Sequence, residues 1–200
     1  MAIEIKNLTK AYGDKQVLDN FSMTIEKGIN CIMGASGSGK TTLVNILAGL
    51  VKADDGSISA PENAQFSFVF QEDRLLEWET ALSNVLFVCK EPKIAQEQAK
   101  DLLTEAGLGD SIDKKAKELS GGMKRRVAIC RGLIADYDII ILDEPFKGLD
   151  AGIKPTIMDM VKSHTEGKYA IIITHDASEA EYLGGKFNVI TPIQLSGTGD

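Results

Sequence analysis

The chain has 200 residues, a net charge of −7 and a hydrophobic content of 44%. This length is enough for one domain whose buried core needs no disulfide or structural metal. The acidic balance argues against nucleic-acid binding, and three widely spaced cysteines without a CxxC pair indicate reduced, mostly buried thiols in a cytoplasmic protein. No run of 18 apolar residues and no signal-peptide pattern occurs, so any work at a membrane is expected to need a partner.

The first seventy residues predict an antiparallel β layer, a buried strand and a glycine-rich loop. "IEIKNL" alternates between apolar and polar residues, and residues 15–28 predict two short strands split at Asp19 and Asn20. The apolar run 29–33 predicts a buried strand and residues 41–50 predict a helix. "GSISA" and "FSFVF" then predict two further strands.

Residues 72–135 predict a helical block, with helices over 80–89, 94–108 and 121–135 around a polar loop. After it come an apolar strand "YDIIILDEP", a helix near 151–165, a strand "YAIIIT", a short helix "ASEAEYL" and a strand "FNVIT". Strand–helix alternation on both sides of the block predicts an α/β fold with a parallel-sheet core. We expect a single domain: residues 1–71 and 136–192 form the core with its β layer, 72–135 an inserted α-helical subdomain, and 193–200 a frayed tail.

The loop after the buried strand matches a phosphate-binding pattern. Residues 34–41 fit G-x-x-x-x-G-K-[ST] between a strand and a helix, the context in which backbone amides surround phosphate groups. Lys40 is expected to neutralise the β- and γ-phosphates, and the Thr41 hydroxyl to bind Mg²⁺. A glycine- and serine-rich turn with a surface lysine is the alternative. The candidate nucleotide-binding residues are Gly34, Ala35, Ser36, Gly37, Ser38, Gly39, Lys40, Thr41 and Thr42.

Two later strands end in residues suited to phosphate hydrolysis. Asp143 and Glu144 follow "IIIL", at the strand end where open α/β sheets bind ligands. Asp143 is expected to hold Mg²⁺ through water, and Glu144 to accept a proton from the attacking water. His175 ends the next strand in an equivalent place and predicts a γ-phosphate contact. The alternatives are an acidic pair that merely ends a strand and a histidine that only satisfies local hydrogen bonds.

The phosphate loop and five other motifs, His175 among them, occur along the chain in a characteristic order. "LSGGM" at 119–123 resembles the signature motif of the ABC-type ATPases, Gln71 the Q-loop glutamine, and "GLD" at 148–150 the D-loop. His175 then matches the switch histidine, and Tyr12 the aromatic residue that stacks on adenine. The chain therefore resembles the ABC-type ATPases over residues 3–190, with the fold of a P-loop NTPase of ABC type.

The resemblance implies a head-to-tail homodimer with two ATP molecules between the chains. The phosphate loop of one chain would face Ser120, Gly121 and Gly122 of the other. The residues agree, because these three begin a helix whose free amides suit an anion; an N-cap with a flexible hinge is the alternative. Thr41 and Gln71 would bind Mg²⁺ directly, with Asp143 behind a water.

Within the family, "FVFQEDRLLEWETALSNV" and "LSGGMKRRVA" are similar to the ATPases of bacterial nitrate, sulfonate and taurine importers. The chain would hydrolyse ATP to power uptake through a membrane permease, and would serve a solute-binding protein indirectly, with no nucleic-acid partner. It would be cytoplasmic, held on the inner face of the cell membrane by the permease. Leu75, Leu76 and Trp78 would either line the groove that receives the permease or pack in the subdomain core.

Two departures from the family pattern accompany this resemblance. In "KGLD" Gly148 precedes Leu-Asp where an alanine is common in the family, so the dimer contacts of this D-loop are expected to differ, and "EYLGGKFNVI" lacks the acid and arginine expected before the last strand. A regulatory C-terminal domain is not expected in 200 residues. The alternative functions are a single-domain ABC ATPase for efflux, lipoprotein release or transmembrane signalling, a P-loop kinase, and an inactive structural subunit.

Overall fold

A computed structural model of the chain describes residues 2–35 and 37–190. Ser36 and the predicted tail at 193–200 therefore lie outside the described residues. The elements are, in chain order, β1 (Ile3–Tyr12), β2 (Lys15–Ile25), β3 (Gly28–Met33), α1 (Lys40–Leu47), β4 (Asp55–Ser59), β5 (Phe66–Val69), α2 (Ala81–Leu86), α3 (Pro92–Glu105), α4 (Gly121–Ile134), β6 (Ile139–Asp143), α5 (Lys154–His164), β7 (Tyr169–Ile173), α6 (Ala177–Leu183) and β8 (Lys186–Val189). The predicted polar loop between α3 and α4 contains two short 3-10 turns.

The N-terminal layer is an antiparallel sheet in the order β2-β1-β4. The prediction of two strands within residues 15–28 is wrong, because β2 runs unbroken from Lys15 to Ile25. The pairing shifts from Leu8↔Phe21 to Lys10↔Leu18, so β2 carries one extra residue opposite β1. Asn20 absorbs it as a bulge with a φ of 48°, a left-handed conformation that asparagine tolerates well.

The core is a parallel sheet in the order β5-β6-β7-β3-β8. Every paired strand in it is parallel, as the α/β prediction requires. Ile139 and Ile141 pack with α1 and the antiparallel layer, whereas Ile140 and Leu142 pack with the helices on the opposite face. Because all strands end at the same edge, the segments that follow β3, β6 and β7 meet there.

The inserted helices α2, α3 and α4 pack on one another, and α4 also packs on the edge strand β5. Thr80 caps α2 by accepting the Ser83 N–H at 3.0 Å, and Ser120 caps α4 by accepting the Met123 N–H at 3.3 Å. Within residues 2–35 and 37–190, no helix is long and apolar enough to cross a membrane.

Candidate active site

The loop between β3 and α1 is shaped by glycines that no larger residue can replace. Gly39 precedes α1 with a φ of 92°, and a Cβ atom there would lie 2.8 Å from the Val17 carbonyl oxygen. At Gly34 a Cβ atom would overlap the Ile190 carbonyl oxygen. Both glycines are therefore required by close approach of neighbouring backbone, and they fix the path of the loop.

Lys40 lies across the mouth of this loop. Its Nζ donates hydrogen bonds of 2.7 Å to the carbonyl oxygens of Gly34 and Ala35, and lies 3.4 Å from the Ser38 hydroxyl. The ammonium group is thus held inside the curve of the loop, at the start of α1. The positive charge and the helix N-terminus act together on an anion placed there.

The opposite wall is built from the ends of β6 and β7. Glu144 follows β6 with a φ of 49°, a left-handed conformation that is strained for glutamate, and its N–H donates to the Ile173 carbonyl at 2.9 Å. The His175 Nδ1 atom lies 2.8 and 2.7 Å from the two carboxylate oxygens of Glu144. Strain and hydrogen bonding hold the carboxylate beside the imidazole, as expected for a site that positions a base.

One cleft of about 440 Å³ collects most of the predicted catalytic residues. Its described lining residues are Gly34, Ala35, Gly37, Lys40, Thr41, Gln71, Asp143, Glu144, Lys147, Ile173 and His175. A neighbouring hollow of about 280 Å³ shares the loop and is lined by Tyr12, Lys15, Val17, Gly37, Gly39, Lys40, Thr41 and Thr42. Tyr12 is half-exposed there, and the Lys10 Nζ atom lies 5.4 Å from the centre of its ring.

The signature segment lies apart from this cleft. Ser120 is the N-cap of α4, and Gly121 and Gly122 form its exposed or half-buried first turn. None of the three is among the described residues that line the cleft. Within one chain the phosphate loop and this second helix N-terminus therefore do not form a single site.

Arg125 on α4 is a buried residue that the sequence interpretation missed. Its guanidinium group donates to the carbonyls of Phe70 at 2.5 Å, of Asp143 and Glu144 at 2.7 Å, and of Pro145 at 3.0 Å. It joins the segment before Gln71 to the acidic strand end. A signal was present, since Arg125 lies four residues before Ile129 and eight before Leu133 on the buried face of the helix.

Leu75, Leu76 and Trp78, which were predicted to face the permease or the core, differ from one another in burial and contacts. Leu75 packs against the larger core cluster, and the Leu76 backbone is bonded to the Asn84 side chain. Trp78 is 72% exposed. None of them lines the large groove of about 740 Å³ between the subdomain and the sheet edge, which Phe66, Phe87, Val88, Ile94 and Arg131 help to form. Their contact with a permease therefore stays a prediction, and the packing of Leu75 agrees with the core alternative.

The donor set at the cleft suits magnesium. The Thr41 hydroxyl, the Gln71 amide and the Asp143 carboxylate line the same space and offer only hard oxygen ligands. Within residues 2–35 and 37–190, no group of three or more His, Cys, Asp or Glu residues could hold a metal alone. A cation here would need further oxygen ligands, which the phosphates of a nucleotide supply.

The Asp143 carboxylate is partly buried beside Glu144, where its ionised form is less stable than in water. Burial raises the pKa of this carboxyl above its ordinary 3.8, and the charge of Glu144 raises it further, against the opposing charges of Arg125 and Lys40. A group with a raised pKa holds its proton more tightly in the folded chain. Its ionised form therefore lowers the stability of the fold as the pH rises through that window.

Asp143→Asn is consequently expected to raise the free energy of unfolding at pH 7, and the gain is expected to vanish below about pH 4. Thermal denaturation of the nucleotide-free protein across this pH range measures it. The matched control is Asp136→Asn, which removes an exposed carboxylate paired with Lys90 and is expected to change stability little. A lower melting temperature for Asp143→Asn at pH 7 would contradict the explanation.

The sheet topology, the loop at its edge and the two acidic residues define a phosphate-loop nucleoside triphosphatase. The model of the ABC transporter family matches residues 18–147, more than half of the chain. The chain belongs to the ABC transporter family of ATPases, as the motifs predicted.

Relatives and solved structures agree with this membership. The aliphatic sulfonates import ATP-binding protein SsuB of Corynebacterium glutamicum is 40% identical over 90% of this chain and 76% of its own length. SsuB 1 of Agrobacterium fabrum is 37% identical over 95% of this chain and 71% of its own length. These relatives confirm the predicted ATP-hydrolysing subunit of an ABC importer, and the efflux, lipoprotein-release and signalling alternative is not favoured.

Two solved structures share the fold. The dimeric bacterial ABC transporter cassette MJ0796 superposes with a TM-score of 0.82 at 30% identity, covering 94% of both chains. A post-hydrolysis state of the same cassette, bound to ADP and phosphate, gives 0.84 at 29% identity over 96% of this chain and 97% of that one. The fold class is confirmed, and so is the prediction that the chain is an ATPase.

Proposed function

We propose that two copies of this chain close around two MgATP molecules and so drive uptake of an aliphatic sulfonate through a membrane permease. The carrying observation is the cleft in which Lys40, Gln71, Asp143, Glu144 and His175 face one another. The solute class is taken from the SsuB relatives. The chain would be held on the cytoplasmic face of the membrane by the permease, and a solute-binding protein would act on the other side.

Nucleotide binding is assigned to the two joined hollows. Tyr12 stacks on the adenine, the amides of residues 34–42 surround the phosphates, and Lys40 neutralises the terminal ones. Thr41 and Gln71 would hold Mg²⁺ directly, and Asp143 would hold it through a water. The cation supplies charge neutralisation at the phosphates when it is bound. The role assigned to Ser36 concerns a residue outside the described ones.

Hydrolysis is assigned to Glu144 and His175. The Glu144 carboxylate accepts the proton of the attacking water, because it faces the cleft and its geometry is fixed by the backbone bond to β7. His175 holds the carboxylate in place and contacts the γ-phosphate when the site is filled. The imidazole Nδ1 contacts the carboxylate, so Nε2 is the ring nitrogen that remains to face the phosphate.

Dimerisation is assigned to Ser120, Gly121 and Gly122. They form a second helix N-terminus that lies outside the cleft of their own chain, as an anion site for a partner chain must. The dimeric state of the similar cassette supports this arrangement. ATP would join the two chains because each molecule is bound by both, and loss of the γ-phosphate would separate them.

The permease is assigned to the groove of about 740 Å³ beside β5. Phe87 and Ile94 are 70% and 77% exposed there. An exposed apolar patch of this kind is typical of a surface that a partner covers. Arg131 lines the groove and donates to the carbonyls of Asp73 and Arg74, two and three residues after Gln71. A helix of the permease in this groove would therefore sense movement of the segment that binds Mg²⁺.

Ile94→Glu is expected to lower copurification with the permease and sulfonate-coupled ATP hydrolysis by at least about tenfold, since it places a charge in an apolar interface. Basal ATP hydrolysis by the isolated chain should stay unchanged. The measurement is ATP-driven uptake of a labelled alkanesulfonate into vesicles that carry the permease and this chain.

Val189→Glu is the matched control for this experiment. Val189 is 67% exposed on the edge strand β8, away from the groove. Equal losses in both variants would contradict the groove assignment. Uptake of no sulfonate by the unmodified complex would contradict the solute class, while leaving ATP hydrolysis intact.

A further inference from the structure

An ion pair between a buried carboxylate and a partly exposed lysine lies next to the backbone around His175. Glu179 on α6 is only 5% exposed, and its Oε1 atom lies 2.6 Å from the Nζ atom of Lys154, the first residue of α5. The other carboxylate oxygen of Glu179 accepts a 2.5 Å hydrogen bond from the Thr174 hydroxyl. The roles proposed above use none of these three side chains.

The pair anchors the backbone on both sides of the histidine. Thr174 is buried, and its hydroxyl accepts the Asp176 N–H at 3.1 Å. The Asp176 carboxylate lies 3.3 Å from Lys154 and caps α6 through the Ser178 N–H at 2.9 Å. Both neighbours of His175 in the chain are thus fixed to the same two charges.

The imidazole itself has little other support. The His175 side chain is 64% exposed, and the hydrogen bonds described for its ring are those to the Glu144 carboxylate. Its position over the cleft therefore depends on the backbone of residues 174–176. That backbone is the part of the site that Lys154 and Glu179 hold.

The other end of the pair leads to the 148–150 turn. The backbone N–H groups of Ile153 and Lys154 donate to the Asp150 carbonyl at 3.1 and 3.0 Å. Lys154 therefore belongs to the first turn after this segment and contacts the histidine segment through its side chain. A continuous series of contacts thus runs from Asp150 through Lys154 and Glu179 to Thr174, the residue before His175.

We infer that Lys154 and Glu179 form a positioning pair that holds His175 in register with Glu144 and ties it to the 148–150 turn. The inference rests on the catalytic role proposed for His175. A shift of the turn when a second chain binds would then move the histidine with it. Hydrolysis would thereby depend on the state of the dimer.

The charges favour a paired state. Burial lowers the pKa of Lys154, but the hydrogen bonds and Coulomb attraction of Glu179 and Asp176 together outweigh this and raise the pKa overall. Neutralising the lysine would leave a buried carboxylate without its cation, so the local backbone would have to open toward water. A simple staple between α5 and α6 is the competing explanation, and it predicts a loss of stability without a specific loss of turnover.

The experiment is a double-mutant cycle on ATP hydrolysis by the full chain, with Lys154→Met, His175→Ala and the combined variant. We expect Lys154→Met to lower kcat about tenfold with KM for ATP within twofold, because the histidine acts after binding. In the His175→Ala background the same change should have no further effect. Lys154→Arg should restore at least half of kcat, since it keeps the ion pair.

Controls separate this inference from folding and from the proposed function. Lys162→Met changes an exposed lysine on the same helix and should leave kcat unchanged. Glu179→Gln keeps the shape of the side chain and tests the same step if Lys154→Met does not fold; its kcat should also fall. Independent, multiplicative losses in the cycle, or normal kcat in Lys154→Met or Glu179→Gln, would overturn the inference alone. Normal turnover in His175→Ala would instead refute the role proposed for the histidine.

Discussion

Glu144→Gln is expected to slow hydrolysis of bound ATP by about three orders of magnitude, while ATP affinity stays within a few-fold of wild type. Glutamine keeps the shape of the side chain and a carbonyl oxygen that can accept from His175, but it cannot take the proton of the attacking water. Single-turnover hydrolysis measures the chemical step. Size-exclusion chromatography in MgATP should then show a dimer that persists, since the nucleotide that joins the chains is not consumed.

Glu62→Gln is the control for this prediction, because it neutralises an exposed glutamate in the segment between β4 and β5. It should hydrolyse ATP at the wild-type rate and dissociate after turnover. If Glu144→Gln kept more than a tenth of the wild-type rate, another group would have to be the base. If it stayed monomeric in MgATP, the two-chain site would be wrong even though the catalytic assignment could stand.

The phosphate loop could be predicted from the sequence because its shape and charge depend on residues that are close together in the chain. Gly34 and Gly39 are needed where neighbouring backbone approaches closely, and Lys40 follows at a fixed spacing on the first turn of α1. The functional residues at the ends of β6 and β7 could be predicted from the sequence equally well. A buried parallel strand has to deliver its next residues to the ligand edge, so Glu144 and His175 were expected near each other.

The strand break at Asp19 and Asn20 was misread because a turn and a bulge use the same residues. Asparagine suits the left-handed conformation in both. Which one forms depends on whether the chain on either side pairs with the same neighbour. Here β1 is ten residues long and pairs along its whole length, so β2 continues past the bulge. Pairing of that range is not visible in the residues of β2 themselves.

The groove of about 740 Å³ beside β5 was not predicted from the sequence for a similar reason. Leu75, Leu76 and Trp78 are apolar neighbours in sequence, but they have no regular period that would show which side faces the core. The structure puts Leu75 inside and Trp78 outside, and it builds the groove from residues near 66, 87 and 94. A surface made by three separate segments leaves no contiguous sequence pattern. The Lys154–Glu179 ion pair was not predicted for the same reason, since the two residues are 25 positions apart in the sequence.

Arg125→Met is expected to lower the free energy of unfolding by about 3–5 kcal/mol. Methionine fills much of the buried volume, but it leaves the carbonyl oxygens of Phe70, Asp143, Glu144 and Pro145 without the guanidinium donor that now serves them all. Each buried acceptor left unpaired carries a desolvation cost of its own. Urea denaturation of the nucleotide-free protein measures the loss.

Lys124→Met is the matched control, one position earlier on the same helix. Its side chain is 27% exposed and lies 3.7 Å from Glu77, so its removal should cost less than about 1 kcal/mol. Arg125→Lys should fall between the two, because an ammonium group has the charge but cannot reach separated carbonyls with a planar fork. A loss in Arg125→Met no larger than in Lys124→Met would mean that α4 is held to the sheet edge by apolar packing alone. The joint between the Gln71 segment and Glu144 would then have to lie elsewhere, since Arg125 is the side chain that contacts the backbone of both.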